Sequence, residues 1–458
     1  MTAPTAPTTS PRARQAAAGV LAGLALGVLA ALFDGVLALL GPTALGVLVL
    51  AVLVRGMASD VADQRRLLRW TMFGFLAHLA LGLFLNSVSG PLTRYVLAPD
   101  AGTYDRVAKY LVTYWESGGP APRLAPGKEG FYYLLGGIYW LLGPHAVAGL
   151  AVNATFAAAI VPVVTDTTRR LYGPSAARYV APLAVLLPGC LLWWSQLLKE
   201  AGIGLLVAVA ANCAIRLTER ASLASLVGVA ASLAVLFTFR AWVALVIAAG
   251  LVLGMALGKG RLLSGLGAGL GGASLLAVLV ALGLGYSGYR AAVNADLKEA
   301  DVVRKELATT AGSGFDADAD VSTPLAAVSY LPRGLFNFVL GPFPWQIRSA
   351  RQLAVVPEMV IWWWLLPSLW AGLRAGRRLV RRRSLVLLMP AVATSLLLSL
   401  SIGNFGTVLR ERQQVVVLLL PLIALGLSVR RPAIASGNTP RGPFYATATA
   451  VTARDDRG

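Results

Sequence analysis

The chain has 458 residues, 57% of them hydrophobic and only 13% charged, with a mean hydropathy of +0.69 and a formal net charge of +19. That hydrophobic excess excludes an ordinary soluble globule, and apolar runs near twenty residues, without strand alternation, predict a polytopic all-α membrane protein and not a barrel. The cations fall mostly in short loops between runs, where Lys and Arg set topology, so the charge does not call for a nucleic-acid partner.

In chain order, residues 1–15 are polar and rich in Pro and Thr, predicting a disordered cytoplasmic tail with no cleavable signal. A membrane domain follows over 16–430, with spans near 16–33, 36–54, 72–92, 145–166, 179–196, 201–217, 222–238, 241–258, 262–285, 355–374, 384–403 and 414–430. Residues 431–458 are again polar and predict a second disordered cytoplasmic tail. Two aromatic stretches, 130–143 and 330–347, are too short or too broken by proline to cross, and read as re-entrant or interfacial helices.

The basic clusters at 55–69, 168–178, 216–220, 258–261 and 374–383 then all fall on one side, with both termini. By the positive-inside rule that side is the cytoplasm, and the expected location is a bacterial inner (plasma) membrane. The same parity puts loops 93–144 and 286–354 outside, and gathers other charges there at helix ends.

Those outer charges are the functional candidates. Asp100 and Asp105 open an expected interfacial helix, where Asp100 or Thr103 could equally serve as an N-cap. Lys199 and Glu200 stand together at a turn between two spans, either lining a polar cavity or reaching headgroup level by snorkelling. Glu129, Arg240, Arg333, Arg410 and Arg412 complete the set, and arginines in such a place bind lipid headgroups or clamp a phosphate. His78, His145, Cys190 and Cys213 read as packing residues, "GLGAGLGG" (265–272) as a close-packing helix surface, and "DADAD" (316–320) as a solvated loop.

The stretches "PDAGTYDRVAKYL", "GKEGFYYLLGGIYWLLGP" and "AVNATFAAAIVPVVTDTTRRLYGPSAARYVAPLAVLLPG" resemble the N-terminal half of bacterial GT-C-fold integral-membrane glycosyltransferases, over roughly residues 72–220. The similarity is to the protein-mannosyltransferase and aminoarabinose-transferase type (family 39-like). It implies a GT-C-like bundle of about twelve spans and a polyprenyl-phosphate sugar donor used on the extracytoplasmic face. Asp100 takes the place of the family's first catalytic acid, but Ala101 stands where a second acid is often found, and Asp105 or Glu129 would have to supply it. Some members bind a divalent cation (Mg or Mn) and others none, so the resemblance leaves the metal open.

The function expected is therefore a membrane glycosyltransferase moving a sugar to an unidentified glycan, lipid or protein acceptor in cell-envelope or exopolysaccharide assembly. Asp100 and Asp105 are its catalytic candidates, and Lys199, Glu200, Arg240, Glu129, Arg333, Arg410 and Arg412 its substrate-binding ones. An O-antigen-type polymerase or ligase using pyrophosphate-linked oligosaccharides is the alternative. A transporter or flippase fits less well, because no internal repeat is visible and the charges do not lie at mid-membrane.

Overall fold

The computed structural model describes residues 35–88, 98–125, 127–258, 296–347, 350–379 and 383–430. The expected spans at 16–33 and 262–285, the "GLGAGLGG" stretch, and both tails lie outside the described residues. Every helix and strand assignment among the described residues is helical, apart from one isolated bridge between Gly314 and Asn404.

Helix α1 (Val36–Met57) and α2 (Val61–Val88) lead to two amphipathic helices, α3 (Pro99–Ser117) and α4 (Glu129–Leu142). Helix α5 (Ala146–Leu186), the short α6 (Pro188–Trp194), α7 (Glu200–Glu219), α8 (Leu223–Phe239) and α9 (Ala241–Leu257) follow. Beyond them come α10 (Leu297–Thr310), α11 (Pro324–Leu340), α12 (Val356–Leu379), α13 (Leu385–Ser401) and α14 (Phe405–Arg430). Five of these, α1, α2, α5, α7 and α14, are long and apolar enough to cross a membrane, and α8, α9 and α13 are shorter apolar helices. The chain is an integral membrane protein with interfacial helices.

Helices α5 and α14 form the centre. The most apolar window of each is 83% buried, against 28% for α1, which turns most of its surface outward. Helix α5 packs on α1, α2, α7 and α14, while α14 also packs along α12. The α12–α14 contact is close because glycines face backbone: a Cβ on Gly426 would stand 1.7 Å from the Ser368 carbonyl, and one on Gly372 1.9 Å from that of Leu422. Without a hydrophobic drive between helices in lipid, such small-residue contacts let backbones approach and gain dispersion energy.

Two boundaries differ from expectation. The turn expected at 168–178 is no open loop: α5 continues to Tyr172, breaks at Gly173 with φ +82°, and restarts at Pro174. Glycine reaches that φ without strain, and proline at the first position of the restarted segment loses nothing by lacking an N–H. Helix α14, expected from 414, begins at Phe405, so its first turns carry Arg410, Glu411, Arg412, Gln413 and Gln414 inside the helix. Hydropathy placed the boundary too late because Arg410, Glu411, Arg412 and Gln413 pair with protein groups, and Gln414 is buried beside them, so none of these polar residues marks a solvated loop.

The expected basic side is a real end of the bundle. Asp166 of α5 holds Arg169 at 3.0 Å, Arg170 at 2.8 Å and Arg216 of α7 at 2.8 Å, and accepts from Asn212 at 3.0 Å. Arg169 also reaches Asp63 and the Met57 carbonyl, while Glu219 takes Arg170 at 2.7 Å and Arg383 at 3.6 Å. The loops at 55–69, 168–178, 216–220 and 374–383 thus meet at one end. Helix α7 runs from this network at Glu219 to Glu200, and its 20 residues span about 30 Å, the thickness of a hydrocarbon core.

Candidate functional site

Glu200 opens the opposite end of α7, and a second cluster of charges assembles there from five segments. The turn before α7 carries Lys199 and is held by Asn153 of α5, whose amide donates to the carbonyls of Gln196 at 2.6 Å and Leu198 at 2.7 Å. Lys199, 1% exposed, donates through Nζ to the Phe239 carbonyl at 2.9 Å. That carbonyl ends α8, where the helix provides no partner of its own. Arg240, in extended conformation, is the whole break between α8 and α9, so its side chain starts where two helices end.

Helix α14 supplies three successive charges that point three ways, because each residue turns about 100° around the axis. Arg410 Nη1 donates to Asp100 Oδ2 at 2.6 Å, and its Nε lies 3.1 Å from Glu200 Oε1, an ion pair without hydrogen-bond alignment. Glu411 takes Arg240 at 2.7 Å. Arg412 turns away, donating to the carbonyls of Gly341 at 2.9 Å and Phe338 and Val339 at 3.3 Å, and to Glu358 at 3.1 Å.

Asp100 is not a cap. Helix α3 begins at Pro99 after Ala98, with no side-chain cap, and Asp100 sits in the first turn with its carboxylate free for Arg410. Burial pushes its carboxyl upward, but Arg410, with Lys128 and Lys199 behind it, outweighs burial and holds it below the ordinary carboxylate value. Lys128, just before α4, lies within the field of Asp100, Arg240, Arg410 and Glu200, and burial pulls its ammonium below the ordinary lysine value. Lys199 is pulled down further, by burial first and then by Arg240 and Lys128, with Glu200 and Glu411 opposing.

Five of the nine residues singled out from sequence, Asp100, Lys199, Glu200, Arg240 and Arg410, therefore meet. Lys128 and Glu411 join them and were missed as site residues. Their signals were slight: Lys128 is one of two charges before an interfacial helix, and Glu411 stands between two arginines at a helix start. Glu200, and neither Asp105 nor Glu129, shares the Arg410 guanidinium with Asp100.

Three candidates lie elsewhere. Asp105 is buried between α3 and α4, accepting from Tyr139 Oη at 2.7 Å and pairing with Lys109 at 3.0 Å, so it ties these helices together. Arg412, 2% exposed, staples the carbonyl end of α11 to the bundle, with both terminal nitrogens engaged there. Arg333 pairs with Asp316, which also accepts from Asn337 at 3.0 Å and Tyr330 at 3.2 Å. Asp316 therefore faces inward, with φ +51°, and the "DADAD" stretch is not simply solvated at that position.

Glu129 is next to the cluster but outside its pairing. It opens α4, is 5% exposed, and neither carboxylate oxygen has a hydrogen-bond partner among the described residues.

Beside the cluster lies a cavity of about 500 Å³, lined by residues of α4, α5, α7 and α8, among them Tyr133, Phe156, Leu205, Leu206 and Phe239. Phe239 belongs to both features: its ring lines the cavity and its carbonyl holds Lys199. The arrangement can take an amphiphile, apolar in the cavity and anionic toward Lys199 and Arg240, whose Nη1 is buried without a partner. Among the described residues no three His, Cys, Asp or Glu side chains group as a metal site would.

No protein-family model matches this chain, and no curated protein does. Among solved structures it is similar to the archaeal oligosaccharyltransferase AglB from Archaeoglobus fulgidus, solved in complex with an inhibitory peptide and a dolichol-phosphate, with 15% identity and a TM-score of 0.49. The match covers 84% of this chain and 54% of that one, so this chain spans about half the length of that protein.

Proposed function

We propose that the chain is a membrane glycosyltransferase that moves a sugar from a polyprenyl-phosphate donor to an acceptor hydroxyl, at the membrane face where Asp100 lies. The observation that carries this reading is the Asp100–Arg410–Glu200 chain, gathered with Lys128, Lys199 and Arg240 against an apolar cavity. A phosphate with a lipid tail has the chemistry to fill both at once. The positive-inside rule makes that face extracytoplasmic, since it is opposite the Asp166 network.

In this reading Arg410 keeps Asp100 ionised, and Asp100 removes the proton from the acceptor hydroxyl as its oxygen attacks the anomeric carbon. The new bond is carbon to acceptor oxygen, and the bond that breaks is anomeric carbon to phosphate oxygen. Its electron pair leaves with the polyprenyl phosphate, whose growing charge is met by Arg240 and Lys199. The two cations are placed before the reaction, so little reorganisation is needed when charge builds.

A monophosphate suits the charge better than the pyrophosphate of the polymerase or ligase reading. Lys128, Lys199, Arg240 and Arg410 are set among Asp100, Glu200, Glu411 and the neighbouring Glu129, so the site holds no cationic surplus for a second phosphate. Arg333, which made the outer loop attractive for that alternative, is taken by Asp316.

The test is transfer from radiolabelled polyprenyl-phosphate sugars by the purified protein in lipid, beside Asp100→Asn. Transfer by the wild type, lost in a variant that still binds donor, supports the reading. A wild type that transfers from pyrophosphate-linked oligosaccharides alone would replace it with the polymerase or ligase.

A further inference from the structure

Glu129 is a buried carboxylate left unpaired beside this cluster, among the described residues. Asp100 and Glu200 share Arg410, and Glu411 has Arg240, yet Glu129, immediately after Lys128, pairs with none of these cations. It is about as buried as Glu200 and Glu411 and far more so than Asp100: 5% exposed, with both oxygens shielded from solvent. A buried carboxylate without donors costs several kcal/mol, and a native structure keeps one where a working partner repays it.

Its neighbours indicate what that partner is. The next residue, Gly130, lines the cavity and is pressed so tightly on Thr238 that a Cβ there would stand 2.0 Å from the Thr238 hydroxyl. Glu129 is thereby held at the junction between the apolar cavity and the cations. Tyr132 lies within the field of both Asp100 and Glu129 and packs on Tyr104 of α3, ring centroids 5.2 Å apart. Tyr133, which also feels Glu129, stacks on Trp115 with centroids 6.4 Å apart and planes 9° from parallel.

We infer that Glu129 accepts hydrogen bonds from hydroxyl groups of the donor's sugar. This rests on the reading of the site above and names its sugar contact. In a lipid phosphosugar the sugar is one bond from the phosphate, so with the tail in the cavity and the phosphate at Lys199 and Arg240 it lies at that junction. Two carboxylate oxygens match two neighbouring hydroxyls, and flat aromatic faces beside them suit a sugar ring. An ionised carboxylate accepts only, which fits a polyol and repels a second anion.

The test is equilibrium binding to the protein in nanodiscs, using polyprenyl phosphate alone and polyprenyl phosphate carrying mannose, glucose, galactose or arabinose. At least one sugar-bearing lipid is expected to bind the wild type more tightly than the bare lipid phosphate. Glu129→Ala should remove that advantage, weakening the sugar-bearing lipid by about tenfold to a hundredfold while leaving bare lipid phosphate within twofold. Glu129→Gln, which keeps one acceptor oxygen, should fall between, and a deoxy analogue lacking the bonded hydroxyl should bind wild type and Glu129→Ala alike.

Unchanged sugar selectivity in Glu129→Ala, or equal weakening of bare and sugar-bearing lipid, would overturn the assignment while leaving the phosphate site in place. A wild type that binds no bare polyprenyl phosphate would remove the phosphate site itself, and the sugar contact with it. Retained binding of bare lipid phosphate also shows that the variants are folded.

Discussion

Arg410 and Asp100, 310 residues apart in the chain, meet at 2.6 Å, with Glu200 at 3.1 Å from the same guanidinium. One planar cation thus fixes the start of an interfacial helix against the starts of two membrane helices. Its donors point along several directions at once, which a lysine could not reproduce. Asp100→Asn should lower transfer by about 10²–10⁴, the range for losing a general base, with donor binding kept. Arg410→Lys should lower both transfer and donor binding, measured by turnover and by equilibrium binding on the same preparations.

The sign of the Asp100 shift makes a pH prediction. Its carboxyl in the folded protein lies below the ordinary value of 3.8, so its contribution to stability is fully present above that value and is lost as pH falls through the folded one. The difference in thermal midpoint between wild type and Asp100→Asn should be level from about pH 8 to about pH 5 and shrink only below about pH 4. A difference that already shrinks between pH 7 and 5 would mean that burial, not Arg410, governs this group.

Leu206 and Leu205 line the cavity beside Phe239. Leu206→Trp should fill space intended for a lipid chain, weakening long-chain polyprenyl phosphate about tenfold while leaving a short, water-soluble analogue unaffected, because only the long chain buries apolar surface there. Equal weakening of both would place the tail elsewhere.

At the other end, Asp166 is the common acceptor for Arg169, Arg170, Arg216 and Asn212. Asp166→Ala would leave three guanidinium groups facing one another around a buried gap. Loss of about 2–4 kcal/mol is expected, since the arginines remain partly exposed and water tempers the penalty. Unfolding in mild detergent measures it, and sugar-lipid binding in the surviving folded fraction should be unchanged.

Gly426→Val tests the close contact of α12 and α14. The side chain has no room beside the Ser368 carbonyl, and the helices must separate, at about 1–3 kcal/mol or more. Because α14 carries Arg410 and Glu411, this variant should also weaken donor binding, which a purely peripheral helix would not do.

Much of the architecture was legible in the residues. Apolar runs of spanning length, the aromatic segment at 130–143 and the basic loops are local signals, and lipid enforces them: backbone must satisfy itself, and cations must stay with water. The basic loops at 55–69, 168–178, 216–220 and 374–383 accordingly meet around Asp166 and Glu219. The choice of Asp100, Lys199, Glu200, Arg240 and Arg410 followed from the same logic, as charges at helix ends with no topological reason to be there.

Tertiary structure decided which of those charges are partners. Arg410 and Arg412 are two residues apart and look equivalent in sequence, yet about 200° of helical rotation sends one to Asp100 and the other to the carbonyl end of α11. Hydropathy also could not show that α14 begins nine residues early, at Phe405, since it scores Arg, Glu and Gln as polar whether or not protein groups satisfy them. Asp105 and Glu129 looked alike as acidic residues of one outer loop. Packing gave Asp105 a tyrosine and a lysine, and left Glu129 buried with none, because hydrogen-bond partners come from chain segments that local sequence cannot place.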